Sequence, residues 1–187
     1  MATDLTGLIA TIKIEIEAIA KKAVDLGIPE AVLKMSNLLK TAFGSAIGEA
    51  DQIFWDRRVI TGAGNDPLIL AEAVPTLTNP FGAPINFANI KAIVIFNRSD
   101  ETLSHADGDH TATDAGIVVL DTGSTFLGPC KTLAKGSIIE AGGMYLATNP
   151  LAAGWSVTAD SGDTLQVDNE DGSDEAMFDV LLIGDST

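Results

Sequence analysis

Between residues 5 and 26, Leu5, Leu8, Ile9, Ile12, Ile16, Ile19, Ala20 and Ala23 recur at spacings of mostly three and four. That spacing is one face of an amphipathic helix. Lys13, Glu17, Lys21 and Lys22 fall largely off the stripe. A shorter pattern competes with it: from Ile12 to Glu17 apolar and charged residues alternate strictly, as in a strand. The helical template covers the longer window and is the reading adopted. Gly27 and Pro29 interrupt it, and Pro29 suits the first turn of a second helix. Ile28, Val32, Met35, Leu38, Leu39, Ala42 and Phe43 then extend a helical stripe to Gly44, a C-terminal stop. Residues 1–48 are thus expected to form a helical arm of two short helices. Neither has a core of its own, so the arm packs on itself, on the rest of the chain or on another chain.

From Arg57 onward the apolar runs become short, rich in β-branched residues and separated by Gly, Asn, Asp and Pro. The clearest are 90–96, 116–120, 137–140, 144–147, 155–158, 164–167 and 177–183, with weaker ones at 58–61, 68–71 and 125–127. Short strands with such frequent turns predict an antiparallel sandwich or barrel. No long helical pattern lies between them, which disfavours a parallel α/β sheet. Two hairpins are expected, 155–158 with 164–167 around Asp160–Asp163, and 164–167 with 177–183 across the acidic turn at 170–173. Residues 73–89, with Pro75, Pro80 and Pro84, read as a long surface connection. The fold class predicted is mainly β: a jelly-roll-like antiparallel β-sandwich over 50–187, preceded by the helical arm.

Composition supports an ordered chain. Apolar residues make up 46% and charged residues 20% of 187 positions, which argues against disorder. The net charge of −15 removes the basic footprint that nucleic acid requires and disfavours an anionic membrane. Neither nucleic acid nor membrane is an expected partner. No uninterrupted apolar run of about 18 residues is present, and the first residues lack a secretory pattern. The charge is also uneven. Residues 1–58 hold seven bases and eight acids, whereas 59–187 hold four bases and eighteen acids. A near-neutral apolar arm suits docking, and an acidic body resists non-specific association.

The candidate chemistry is weak. His105, Asp107, Asp109 and His110 could supply metal ligands, but their spacing matches no zinc signature, and Gly108 suggests a solvated turn. Asp168–Glu175 resembles a calcium loop only loosely: its glycine is out of register, and Asp179 stands where the bidentate Glu should be. Cys130 has no cysteine-hydrolase signature around it and reads as a small buried thiol. Gly62 and Gly64 lack the third glycine and the helix of a phosphate loop. Tyr145 and Trp155 lie in strand patterns where core packing is the default, leaving carbohydrate binding as an alternative. No catalytic residue, cofactor-binding residue or metal ligand is assigned, and no cofactor or enzymatic activity is expected.

The run Ala50-Asp-Gln-Ile-Phe-Trp-Asp-Arg-Arg58 resembles the opening of a group of small structural proteins of tailed bacteriophages. The similarity continues through Asn65–Leu70, Leu77–Ile93, Glu140–Leu146, Ala153–Ala159, Gly162–Leu165 and Phe178–Gly184. Gly154-Trp-Ser-Val-Thr-Ala159 followed by Gly162-Asp163 is its most distinctive part. These are packing and turn residues, so the resemblance implies a fold and a virion context rather than an active site. Residues 98–115 are longer than the pattern, and 1–48 more helical. The function it implies is a non-enzymatic virion protein, foremost a capsid decoration (cement) protein. The arm would adhere through Leu8, Ile12, Ile16, Ile19, Val32, Met35, Leu39 and Phe43. Partners would be a capsid or other virion protein and further copies of the chain, as a trimer or pentamer. A neck, tail or baseplate component and a carbohydrate- or receptor-binding module are the alternatives. Packing of the stripes on the chain's own sandwich also stays open.

Overall fold

The computed structural model describes residues 10–21, 30–62, 64–73, 75–99, 117–119, 124–126, 128–129, 137–149, 153–169 and 175–187. The strands are β1 (Ala10–Lys21), β2 (Glu30–Phe43), β3 (Glu49–Ala50), β4 (Gln52–Ile60), β5 (Asn65–Ile69) and β6 (Asn89–Asn97). They continue with β7 (Ile117–Val119), β8 (Ser137–Ile139), β9 (Met144–Thr148), β10 (Trp155–Ser156), β11 (Thr164–Asn169) and β12 (Ala176–Asp185). Among the described residues there is no helix, and none long and apolar enough to cross a membrane.

Two antiparallel sheets form the body. The larger has the order β10-β6-β12-β4, with β9 also on β6, and the smaller has the order β5-β11-β7-β8. Side chains from both sheets meet in one core that includes Phe54, Ile93, Ile95, Phe178, Val180 and Leu182 from the larger, with Leu68, Ile139, Leu165 and Val167 from the smaller. The body is therefore mainly β and sandwich-like. β11 shows why the residues form these strands: Leu165, Val167 and Asn169 are buried while the intervening Thr164, Gln166 and Asp168 are half-buried. That two-residue period fits one sheet face on a core.

Two sequence expectations are corrected. Neither expected hairpin forms. β10 pairs with β6, β11 with β5 and β7, and β12 with β4 and β6, so consecutive strands change sheets. Of the first hairpin only the isolated bridge Thr158↔Gly162 exists. The stretch taken as a surface connection contributes to the core: Leu77, Ile85 and Phe87 are buried, Phe87 with 1% exposure. Asn79 makes that compact, accepting backbone N–H bonds from Phe81 and Ala83 through its side chain.

In the arm, β1 and β2 pair antiparallel from Ala10↔Thr41 to Lys21↔Glu30. The alternation Ile12, Ile14, Ile16 suits that pairing, in keeping with the β preference of β-branched side chains. Residues 1–9 and 22–29 lie outside the described residues. The ribbon's root is tied to the body. β2 meets β3 in a short parallel contact, Ala42↔Glu49 and Phe43↔Ala50. The fully buried Lys91 ammonium donates to the carbonyl oxygens of Ala46 (2.9 Å) and Glu49 (2.5 Å) and pairs with Asp185 at 2.7 Å.

Candidate functional site

The larger sheet has two faces, and its outer one is unusually apolar. β6 and β12 carry nearly continuous apolar sequence, Ile90 to Phe96 apart from Lys91 and Met177 to Ile183 apart from Asp179. Only one face of a strand in a two-layer body packs on the core. The other half of each run must face outward. Pairing aligns these positions into rows. One row runs Leu146, Val94, Leu181, Trp55 across β9, β6, β12 and β4. The next runs Met144, Phe96, Asp179, Arg57. A third contains Ala92 and Ile183, which are buried beneath Ala50 at the root of the ribbon.

The first two rows stay open. Trp55 is 64% and Met144 55% exposed, while Val94, Phe96 and Leu181 are half-buried. Together with Ile53, Pro80, Arg98 and Asp179 they line a groove of about 450 Å³. Its polar end is rigid. The Arg57 guanidinium donates two hydrogen bonds to the Asp179 carboxylate, 2.7 Å from Nε and 3.2 Å from Nη2. Arg98 Nε donates to the same carboxylate at 2.7 Å, and its guanidinium lies 4.3 Å from the centroid of the Phe96 ring, a cation–π contact. The Arg57 bond foremost, with Arg98 adding to it, holds the Asp179 carboxyl below the usual carboxylate range. Arg57 is raised in turn by its bond to Asp179. Two guanidiniums sharing one carboxylate leave this end cationic on an acidic chain.

On the other side of β4, Arg58 pairs with Asp66 of β5 and ties the two sheets together. Burial pushes the Asp66 carboxyl above its ordinary value, and Arg58 offsets only part of that rise.

The sequence-derived candidates fall elsewhere. Leu8 lies outside the described residues. Ile12, Ile16 and Ile19 lie on β1, opposite Leu39, Met35 and Val32 of β2. Phe43 ends β2 with 44% exposure. His105, Asp107, Asp109, His110, Cys130 and the acidic stretch 170–174 lie outside the described residues. Asp168 sits on β11 and accepts a bond from Gln166 Nε2 at 2.7 Å. Gly64 belongs to the corner between β4 and β5, its N–H bonded to the Thr61 carbonyl. Tyr145 and Trp155 pack against the core. Among the described residues, no three His, Cys, Asp or Glu side chains gather as metal ligands would. Sequence reasoning missed Trp55, Met144, Leu181 and the Arg57–Asp179–Arg98 cluster. The signal for the apolar part was present in the doubly apolar runs of β6 and β12. No known protein family, curated protein or solved structure matches the chain.

Proposed function

We propose that the chain is a non-enzymatic structural protein that works by adhesion: a tailed-phage virion component, foremost a capsid decoration protein with a jelly-roll-like body. The observation that supports this reading most is the open apolar row Trp55–Leu181–Val94–Leu146 beside a rigid cationic end. Burying a large apolar side chain contributes about 1.5–3 kcal/mol before ordering costs. The partner that fits is a protein surface with an apolar patch and a carboxylate placed to meet Arg57 or Arg98. The apolar positions of the β1–β2 ribbon would supply a second attachment, and repetition over a symmetric shell would add avidity. The reading predicts that mass spectrometry of virions from the phage carrying this gene finds the chain at a copy number set by shell symmetry. Its failure to co-purify with virions would end the proposal. A few copies per particle would move it to the neck, tail or baseplate.

One observation favours a second reading. Trp55 and Phe96 line the groove beside Arg98 and Asp179, an aromatic pair with polar partners of the kind that stacks on sugar rings. Glycan-array binding abolished by Trp55→Ala, with no virion association, would select this reading over the structural one.

A further inference from the structure

We propose that β4 pairs edge to edge with β4 of a second copy, in antiparallel register about Arg57. The inference rests on the fold and does not depend on a virion role. β4 ends its sheet. Its nine residues pair with β12 in unbroken register, Gln52↔Gly184 to Ile60↔Ala176. Among the described residues no strand meets its other edge. Such an edge is a template for another strand, and proteins usually block it with proline, a bulge, a cover or charged side chains, of which β4 has Asp56, Arg57 and Arg58. β4 contains neither proline nor register shift.

Those charges are complementary across a two-fold pairing, and the further guard, a local bond at Arg57, is removable. The Arg57 backbone N–H donates to the Asp56 carboxylate at 2.9 Å rather than to β12. That places the N–H groups of the alternate residues Trp55, Arg57 and Val59 on the free edge.

The sequence of the strand selects the partner. A two-fold axis normal to the sheet keeps outer residues opposite outer residues, so the axis must pass beside a single residue. Centred on Arg57, the pairs are Asp56 with Arg58, Trp55 with Val59 and Phe54 with Ile60, each formed twice. Every flank is complementary, charge with charge and apolar with apolar. Centred on Asp56, two carboxylates meet and Phe54 faces Arg58. Centred on Trp55, Asp56 faces Phe54 and Arg57 faces Ile53. The like-charged Arg57 pair is tolerable because each guanidinium is bonded to Asp179 at 2.7 Å, which offsets part of its charge. Trp55 and Val59, 64% and 49% exposed, are the outer residues that pairing would bring side by side, leaving the outer face of Trp55 open. The result is a two-fold dimer with one continuous sheet across the junction and the two apolar grooves side by side. It differs from the trimer or pentamer expected from the sequence.

The test is light scattering of the full-length protein at low and high salt, with two variants. A dimer is expected, and the net charge of −15 means that salt should strengthen it. Val59→Pro removes a free-edge N–H without a bond to β12, a position where an edge strand accepts proline. It should yield a monomer with an unchanged circular dichroism spectrum. In a Cys130→Ser background, Arg57→Cys should give a covalent dimer with a short bis-maleimide, and Ile47→Cys should not. A monomer at every salt concentration overturns the proposal. So does a dimer that persists in a folded Val59→Pro variant. Should that variant unfold, the cross-link decides, and equal cross-linking from Ile47→Cys counts against the pairing.

Discussion

Lys91 is fully buried and has a partner for each of its three ammonium protons: Asp185 and the carbonyls of Ala46 and Glu49. Such a pair is expensive to desolvate, and removing one member strands the other. Lys91→Met should therefore cost about 3–5 kcal/mol in urea unfolding, and Lys91→Met with Asp185→Asn should recover part of it. Hydrogen exchange at residues 44–50 should rise in the single variant, because the ammonium also holds the ribbon's root. Unaltered stability and exchange would show that the clamp is dispensable. Asp179 gives a prediction in pH. Its carboxyl is depressed in the folded chain by Arg57 and Arg98. Its contribution is therefore complete above the unfolded carboxyl value of about 3.9 and disappears as pH falls through the lower folded value. Asp179→Asn should flatten the loss of stability below about pH 4. Asp66 works in the opposite sense: with its carboxyl raised by burial, stability falls as pH rises through the interval between unfolded and folded values.

At the level of the strand, Gly184 shows what the backbone requires. It sits at the register shift between Ile183 and Gly184 where β12 meets β6. A Cβ there would overlap the Asn89 carbonyl oxygen and press on the Phe87 ring. Gly184→Ala should lower stability by about 1–3 kcal/mol or more, the range for overpacking. Gly162→Ala, whose Cβ would meet only Thr158 at ordinary distance, should be near neutral by comparison in thermal melts. Equal melting temperatures would remove the steric argument. The body's strands were legible because alternation is a local property, and the runs at 90–96, 164–167 and 177–183 fall inside β6, β11 and β12. Their pairing was not legible. Asp160–Asp163 and the 170–175 stretch look like hairpin tips in sequence, yet the strands they join belong to different sheets. The prolines at 75, 80 and 84 suggested a surface segment, although Ala83, Ile85 and Phe87 alternate and are buried. In the arm, both periods were present in the residues, and the alternating one suits the ribbon. The Arg57–Asp179–Arg98 cluster joins residues 122 and 81 positions apart, which no local pattern can signal.

For the whole molecule, an apolar face and a large negative charge make opposing demands. The charge keeps copies apart at long range, while the face favours any close apolar contact once screening allows approach. The two are compatible because, among the described residues that line the groove, the one acid, Asp179, is already paired twice. The face should then be detectable without knowing its biological partner. The folded protein is expected to bind an environment-sensitive apolar dye such as anilinonaphthalene sulfonate, whose anionic group suits the cationic end at Arg57 and Arg98. Trp55→Glu with Met144→Glu should remove most of that fluorescence. Both side chains are more than half exposed, so the melting temperature should move little. Acrylamide should quench the Trp55 emission far more readily than that of Trp155, which packs against the core. Dye binding unchanged in a folded double variant would mean that another surface supplies the apolar area, and the adhesion proposed for this face would lose its physical basis.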